Sequence, residues 1–69
     1  MGLAQTFGRN VRRQRQDRQV TLEALADQVG LSYSYLGEIE RGKRNPTLAV
    51  VERLANALKI DPRDLLSRS

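Results

Sequence analysis

Apolar residues recur along this chain at helical spacing, and no segment alternates with period two, so the pattern predicts helices and no sheet. The first helix runs from about Leu3 to Arg18 and carries Leu3, Phe7 and Val11 on one stripe, which Gln14 and Arg15 continue poorly. Thr21 is a good N-cap for a short second helix that places Leu22, Leu25, Ala26 and Val29 on one face and stops at Gly30, a residue suited to left-handed geometry. One residue later, Ser32 can cap a third helix with Tyr35, Leu36 and Ile39 inward and Gly42 at its end. Lys43 to Thr47 then form a polar turn containing Asn45 and Pro46. A fourth helix follows Thr47 with Leu48, Val51, Leu54, Ala55 and Leu58 inward. Asp61 caps a short fifth helix with Pro62 at its first position, Asp64 in a capping-box-like place, and Leu65 and Leu66 to dock it.

The joint around Gly30 is the most informative spacing. Small Ala26 lets two helices cross closely, the glycine makes a sharp turn, and Leu31 follows it immediately, so the next helix leaves at a steep angle. This is a helix-turn-helix over about residues 21–41. Around the third helix, Leu36 and Ile39 point inward; Ser34, Gly37, Glu38 and Arg41 fall on the opposite side and Tyr33 projects from the N-terminal end. That outward set is what a DNA major groove would meet.

Composition limits what else the chain can be. Its 69 residues, 39% hydrophobic and 29% charged, allow one domain, read as 1–69, whose stability must come from well-capped, tightly packed helices or from association with another copy. Cysteine and histidine are both absent, which removes disulfides, zinc sites and histidine-based triads. A tyrosine or serine nucleophile such as Tyr33 would have no neighbouring histidine base, so no catalytic residues, metal or cofactor are expected and the chain is not read as an enzyme. No apolar run approaches the ~20 residues that span a bilayer, and the expectation is a cytoplasmic protein with no membrane association and no small-molecule pocket.

The net charge of +4 suggests a polyanionic partner, and its distribution adds detail. Residues 1–18 hold five arginines against Asp17, a net of +4; residues 19–42 hold Arg41 against Glu23, Asp27, Glu38 and Glu40, a net of −3; the remainder returns to +3. Basic flanks bracket an acidic, aromatic centre. Double-stranded DNA fits that division: arginine and lysine neutralise phosphates without reading sequence, while the central helix discriminates bases. Arg41, Lys43, Arg44 and Asn45 are the expected phosphate contacts, joined by the amide-bearing helix starts at Thr21 and Ser32 and by outer clamps Arg9, Arg12 and Arg13.

TLEALADQVGLS, the IERGKRNP run from Ile39 to Pro46, and LANALKIDPRDLL from Leu54 to Leu66, in this order and spacing, make the chain resemble the phage-repressor and Cro-like helix-turn-helix family, often called XRE. That family includes restriction-modification controller proteins, and the resemblance covers about Phe7 to Leu66. It implies an all-α, five-helix lambda-repressor-like fold, with helix 2 over the phosphate backbone, helix 3 in the major groove, and a symmetric dimer on a palindromic operator controlling transcription from a bacterial nucleoid or a phage. Carried over by position, the base-reading sites fall on Tyr33, Ser34, Gly37 and Glu38. Glu38 would accept from a cytosine amino group, Tyr33 would pack on a thymine methyl or bond a phosphate, and Ser34 would serve either base or backbone. Gly37 would let the helix seat closely. Tyr35, at the flank of the inner stripe, either packs or lends its hydroxyl to a phosphate.

The resemblance also implies an ion pair between Glu40 and Arg15, tying the reading helix to the first helix, and a dimer contact around helices 4 and 5. Val50 is the better interface residue, while Ile60 and Leu66 serve either that interface or the monomer core. Three positions depart from the family pattern. Leu22 stands where many relatives carry a phosphate-bonding glutamine, Ala24 replaces a capping-box glutamate so that Thr21 caps alone, and Gln14 stands where an apolar residue usually packs. The alternative function is a protein-interaction module, such as an antitoxin-like subunit with secondary DNA binding, which an exposed apolar groove outside the dimer contact would favour.

Overall fold

A computed structural model describes residues 2–68, and four of its five helices begin where the sequence supplies a capping oxygen. Five helices are present among the described residues: α1 (Leu3–Asp17), α2 (Leu22–Val29), α3 (Tyr33–Glu40), α4 (Leu48–Leu58) and α5 (Pro62–Leu66), with no strand. The Thr21 hydroxyl accepts the Ala24 amide at 3.0 Å, Ser32 the Tyr35 amide at 3.0 Å and Thr47 the Val50 amide at 3.2 Å, while the Asp61 carboxylate accepts the Arg63 amide at 2.9 Å. Each satisfies one of the donors that a helix start leaves unpaired. Only α1, which begins after Gly2, has no side-chain cap.

The helix ends share a device. After α1, α2, α3 and α4 the chain passes through a left-handed residue, at Gln19 (φ 56°), Gly30 (φ 72°), Gly42 (φ 75°) and Lys59 (φ 59°). The following amide then reaches back to a carbonyl in the last turn: Val20 to Arg15 at 3.1 Å, Leu31 to Ala26 at 2.9 Å, Lys43 to Glu38 at 2.9 Å and Ile60 to Ala55 at 3.0 Å. This is the Schellman closure, and it stops each helix while satisfying its final carbonyls.

The core gathers Phe7 and Val11 from α1, Leu25, Ala26 and Val29 from α2, Leu36 and Ile39 from α3, five residues of α4 and Leu65 of α5. Helix α1 packs on α3 and α5, α2 on α3 and α4, and α4 on α5. The approach of α1 to α3 depends on Gly8: a Cβ there would overlap the Ile39 carbonyl oxygen and lie 2.9 Å from that of Glu40. Buried Asn10 fastens the other end of the molecule, its amide donating to the carbonyls of Leu65 at 2.9 Å and Ser67 at 2.7 Å. No buried side-chain donor or acceptor is left unpaired among the described residues.

Three apolar positions differ from the periodicity reading. Leu3 is 53% and Leu48 84% exposed. Each is the first residue of its helix, where the Cβ tilts toward the N-terminus and carries the side chain past the core edge. Val50, expected at a dimer interface, is instead 8% exposed and joins the core.

Candidate nucleic-acid interface

The turn between α2 and α3 is set by Gly30, whose positive φ a side chain would strain. The Gly30 amide donates to Asp27 at 3.2 Å and the Leu31 amide to Ala26, so the chain reverses within three residues before Ser32 caps α3. Ala26 is buried at the crossing. From α4, the Arg53 guanidinium donates to the Val29 carbonyl and braces the turn from behind.

On α3 and at its C-cap, Tyr33, Ser34 and Arg41 are exposed and Glu38 is half-buried, all on the side away from Leu36 and Ile39. Gly37 does not join them. It is buried, with Leu22 Cδ2 and Arg41 Nη1 lying 3.6 and 3.5 Å from where its Cβ would be. Leu22, the departure from the family glutamine, is the reason: its apolar side chain packs toward the core and covers Gly37.

Glu38 and Arg44 are joined, Nε of the arginine donating to Oε1 of the carboxylate at 2.7 Å. The same guanidinium lies over the Tyr35 ring, 5.8 Å from its centroid, within the range of cation–π attraction. Tyr35 is half-buried and packs against the core, so packing accounts for its ring. The Arg44 hydrogen bond and charge, aided by Arg41 and Lys43, hold the Glu38 carboxyl below the usual carboxylate range, and Arg44 is raised correspondingly.

The residues read as phosphate contacts occupy three places. The exposed hydroxyls of Thr21 and Ser32 accept from their own helices and keep their O–H hydrogens to donate outward. Arg41, Lys43, Arg44 and Asn45 are exposed at the end of α3 and in the turn after it. Arg9 and Arg13 lie on the outer side of α1, where Arg13 is turned away from α3: its Nη2 donates at 2.8 Å to Asn10 Oδ1, and Asn10 faces α5.

Beneath this surface Arg15 and Glu40 form a two-pronged ion pair at 2.7 and 3.0 Å, with the Glu40 side chain only 6% exposed. The hydrogen bonds it donates to Glu40, then the charge of that carboxylate, raise the Arg15 guanidinium against the opposing effect of burial. Ile60 and Leu66 are partly buried against the core. Leu66 also lines a mainly apolar cleft of about 160 Å³ with Leu3, Ala4, Phe7, Pro46 and Leu48. No group of three potential metal ligands gathers among the described residues, and no helix there is long and apolar enough to cross a membrane.

The sequence reading missed Gly8, Asn10 and the Arg44–Tyr35 contact. Signals existed for the first two: a mid-helix glycine marks close approach, and an asparagine beside Val11 on the inner arc marks a buried polar clamp.

Comparison with known proteins agrees with this geometry. The sequence profile of the helix-turn-helix family matches residues 11–65. YazB of Bacillus subtilis, an uncharacterized HTH-type transcriptional regulator, is 40% identical over 62 residues, 90% of each chain. The crystal structure of the restriction-modification controller protein C.AhdI from Aeromonas hydrophila superimposes with a TM-score of 0.86 at 42% identity, covering 90% of this chain and 94% of that one. SinR, a master regulator for biofilm formation crystallised in complex with DNA, superimposes with a TM-score of 0.83 at 29% identity over 88% of this chain and 98% of its own. These relatives are regulators and not enzymes. A five-helix frame with a glycine turn between α2 and α3, matched in profile, sequence and structure, places the chain in the helix-turn-helix family of DNA-binding transcriptional regulators, alongside the phage repressors and restriction-modification controllers it resembles.

Proposed function

We propose that the chain binds a palindromic operator in double-stranded DNA as a homodimer, with α3 of each copy in the major groove, and controls a nearby promoter by occluding or recruiting polymerase. The observation that carries this reading is the outward surface of α3. Tyr33, Ser34 and Glu38 present aromatic, hydroxyl and carboxylate groups between the capped starts at Thr21 and Ser32 and the cationic turn Arg41, Lys43, Arg44 and Asn45. Phosphate contacts at those edges set the register, and the side chains between them read bases. Arg9 adds charge at the periphery. Gly37, buried under Leu22, acts through backbone seating.

Dimerisation follows from the length of α3. Eight residues rise about 12 Å, enough for only a few base pairs, so a second copy supplies the specificity that one copy lacks. With Val50 in the core, the apolar surface left for that copy is Leu48, Leu3 and the partly buried Leu66, with Ile60 at the far end of α4. The protein would act in the cytoplasm, on a bacterial nucleoid or phage genome.

Selection of sites from a random duplex library at near-physiological salt, in parallel with Glu38→Ala, tests the reading. An enriched inverted repeat, relaxed at one symmetric position by the variant, supports it. Salt-sensitive binding with no enriched sequence overturns it and directs attention to a protein partner for the Leu3, Leu48 and Leu66 cleft.

A further inference from the structure

We propose that Arg44 is a specificity-determining positioning residue, which aligns the Glu38 carboxylate for base readout through Nε while its outer nitrogens grip a backbone phosphate. This rests on the reading of Glu38 as a base contact. Glu38 on the base-facing side of α3 and Arg44 in the phosphate-facing turn are joined at 2.7 Å.

The way they are joined leaves both ends usable. Arg44 engages Glu38 through Nε alone, and only Oε1 of the carboxylate is taken, so Oε2 and both Nη groups are uncommitted among the described residues. A guanidinium bonds sideways through Nε and forward through its Nη fork at once in one rigid plane; a lysine ammonium has three donors but on a rotating, flexible stem, so it does not fix one direction relative to the other. Arg44 is itself held. Its guanidinium lies over the Tyr35 ring, and Tyr35 is fixed against the core, so the arginine rests on a rigid platform. The Lys43 amide, bonded to the Glu38 carbonyl at 2.9 Å, pins the turn that carries Arg44 to the residue it supports.

The consequence is a relay from phosphate to base. A carboxylate in a groove flanked by phosphates is repelled unless a cation accompanies it, and Arg44 is that cation, carried into the groove edge with Glu38. When the outer fork of Arg44 meets a phosphate, the side chain loses its remaining freedom, and Oε2 is directed at one base pair. The charge of Arg44 contributes to affinity at any sequence, whereas its geometry contributes only where Glu38 has a donor to meet.

The test compares wild type, Glu38→Ala and Arg44→Lys on the selected operator, on that operator with the Glu38-dependent base pair exchanged, and on a random duplex across a salt series. Melting of each free protein confirms that it is folded. Wild type should prefer the selected pair by about 5- to 150-fold, the range of a single base-pair mismatch. Glu38→Ala should lose that preference. Arg44→Lys, with its charge intact, should lose the same preference at the same position, read as the ratio of its affinities for the two operators, which a general change in phosphate binding does not move. If Arg44→Lys retains the preference, Arg44 is a phosphate contact alone and the inference is overturned. If Glu38→Ala also retains it, the assignment of Glu38 to base readout falls instead.

Discussion

Arg15 holds Glu40 by two hydrogen bonds, Nε to Oε2 at 2.7 Å and Nη2 to Oε1 at 3.0 Å, and gives its third nitrogen to the Val20 carbonyl at 2.9 Å. One side chain thereby ties α1 to the last residue of α3 and to the loop leading into α2. Removing Glu40 strands a largely buried guanidinium, and breaking such a pair costs about 3 to 5 kcal/mol. Glu40→Ala should therefore lower the melting temperature of the free protein by more than about 10 °C, given about 4 to 8 °C per kcal/mol at this size. An unchanged thermal melt would show that the pair does not anchor α3.

Gly8 is a second point where α1 and α3 depend on each other, here by contact of backbone with backbone. Glycine in a helix interior is normally worse than alanine by about 0.5 to 1 kcal/mol, so propensity alone favours Gly8→Ala. Packing reverses the sign. The added methyl would enter the Ile39 carbonyl and press on that of Glu40, neither of which can rotate aside, and overpacking of this kind costs about 1 to 3 kcal/mol. Urea denaturation should show Gly8→Ala less stable than wild type; a stabilised variant would mean that the two helices separate at little cost.

The five helices were legible because their signals are local. Thr21, Ser32 and Asp61 each cap the helix the sequence assigned to them, Thr47 caps the helix expected to follow it, and Gly30 and Gly42 each occupy the left-handed position after a helix. The ends at Gln19 and Lys59 adopt the same geometry without glycine, so nothing in the residue type announced them. Leu48, read as inward, is exposed and Val50, read as outward, is buried, for a different reason. Periodicity finds the centre of an apolar arc, here near Leu54 and Leu58, but not which flanking residue the neighbouring helices will cover. The ion pair of Arg15 with Glu40 came from family resemblance, since 25 residues separate the partners and no local pattern links them. Glu38 with Arg44 was hidden similarly, because each residue alone had a sufficient reading facing DNA.

Lys59 offers a direct check on the helix-end geometry. A residue with a Cβ at φ 59° is less favourable than glycine there by about 1 kcal/mol, and Lys59 is exposed with no cap contact beyond its backbone. Lys59→Gly should raise stability by about 0.5 to 1 kcal/mol in urea denaturation. A loss of stability would mean that the lysine side chain makes a contribution larger than the strain of its backbone.

Gly37 separates the demands of folding from those of DNA binding. In the free protein a methyl group at this position would meet Leu22 and Arg41 at 3.6 and 3.5 Å, ordinary van der Waals separations, and φ is helical, so neither space nor backbone requires glycine. Gly37→Ala should then stabilise the free protein by about 0.5 to 1 kcal/mol through helix propensity alone. Glycine at such a place, on the helix proposed to enter the groove, is explained if the helix must approach DNA more closely than an alanine permits. The same variant should accordingly weaken binding to the selected operator while leaving random-duplex affinity, which depends on the flanking cations, nearly unchanged. Parallel measurement of the urea midpoint and of both duplex affinities decides the matter. Gain in stability with loss of operator binding supports close seating of α3, whereas gain in stability with unchanged operator binding removes Gly37 from the interface and leaves Tyr33, Ser34 and Glu38 to account for readout.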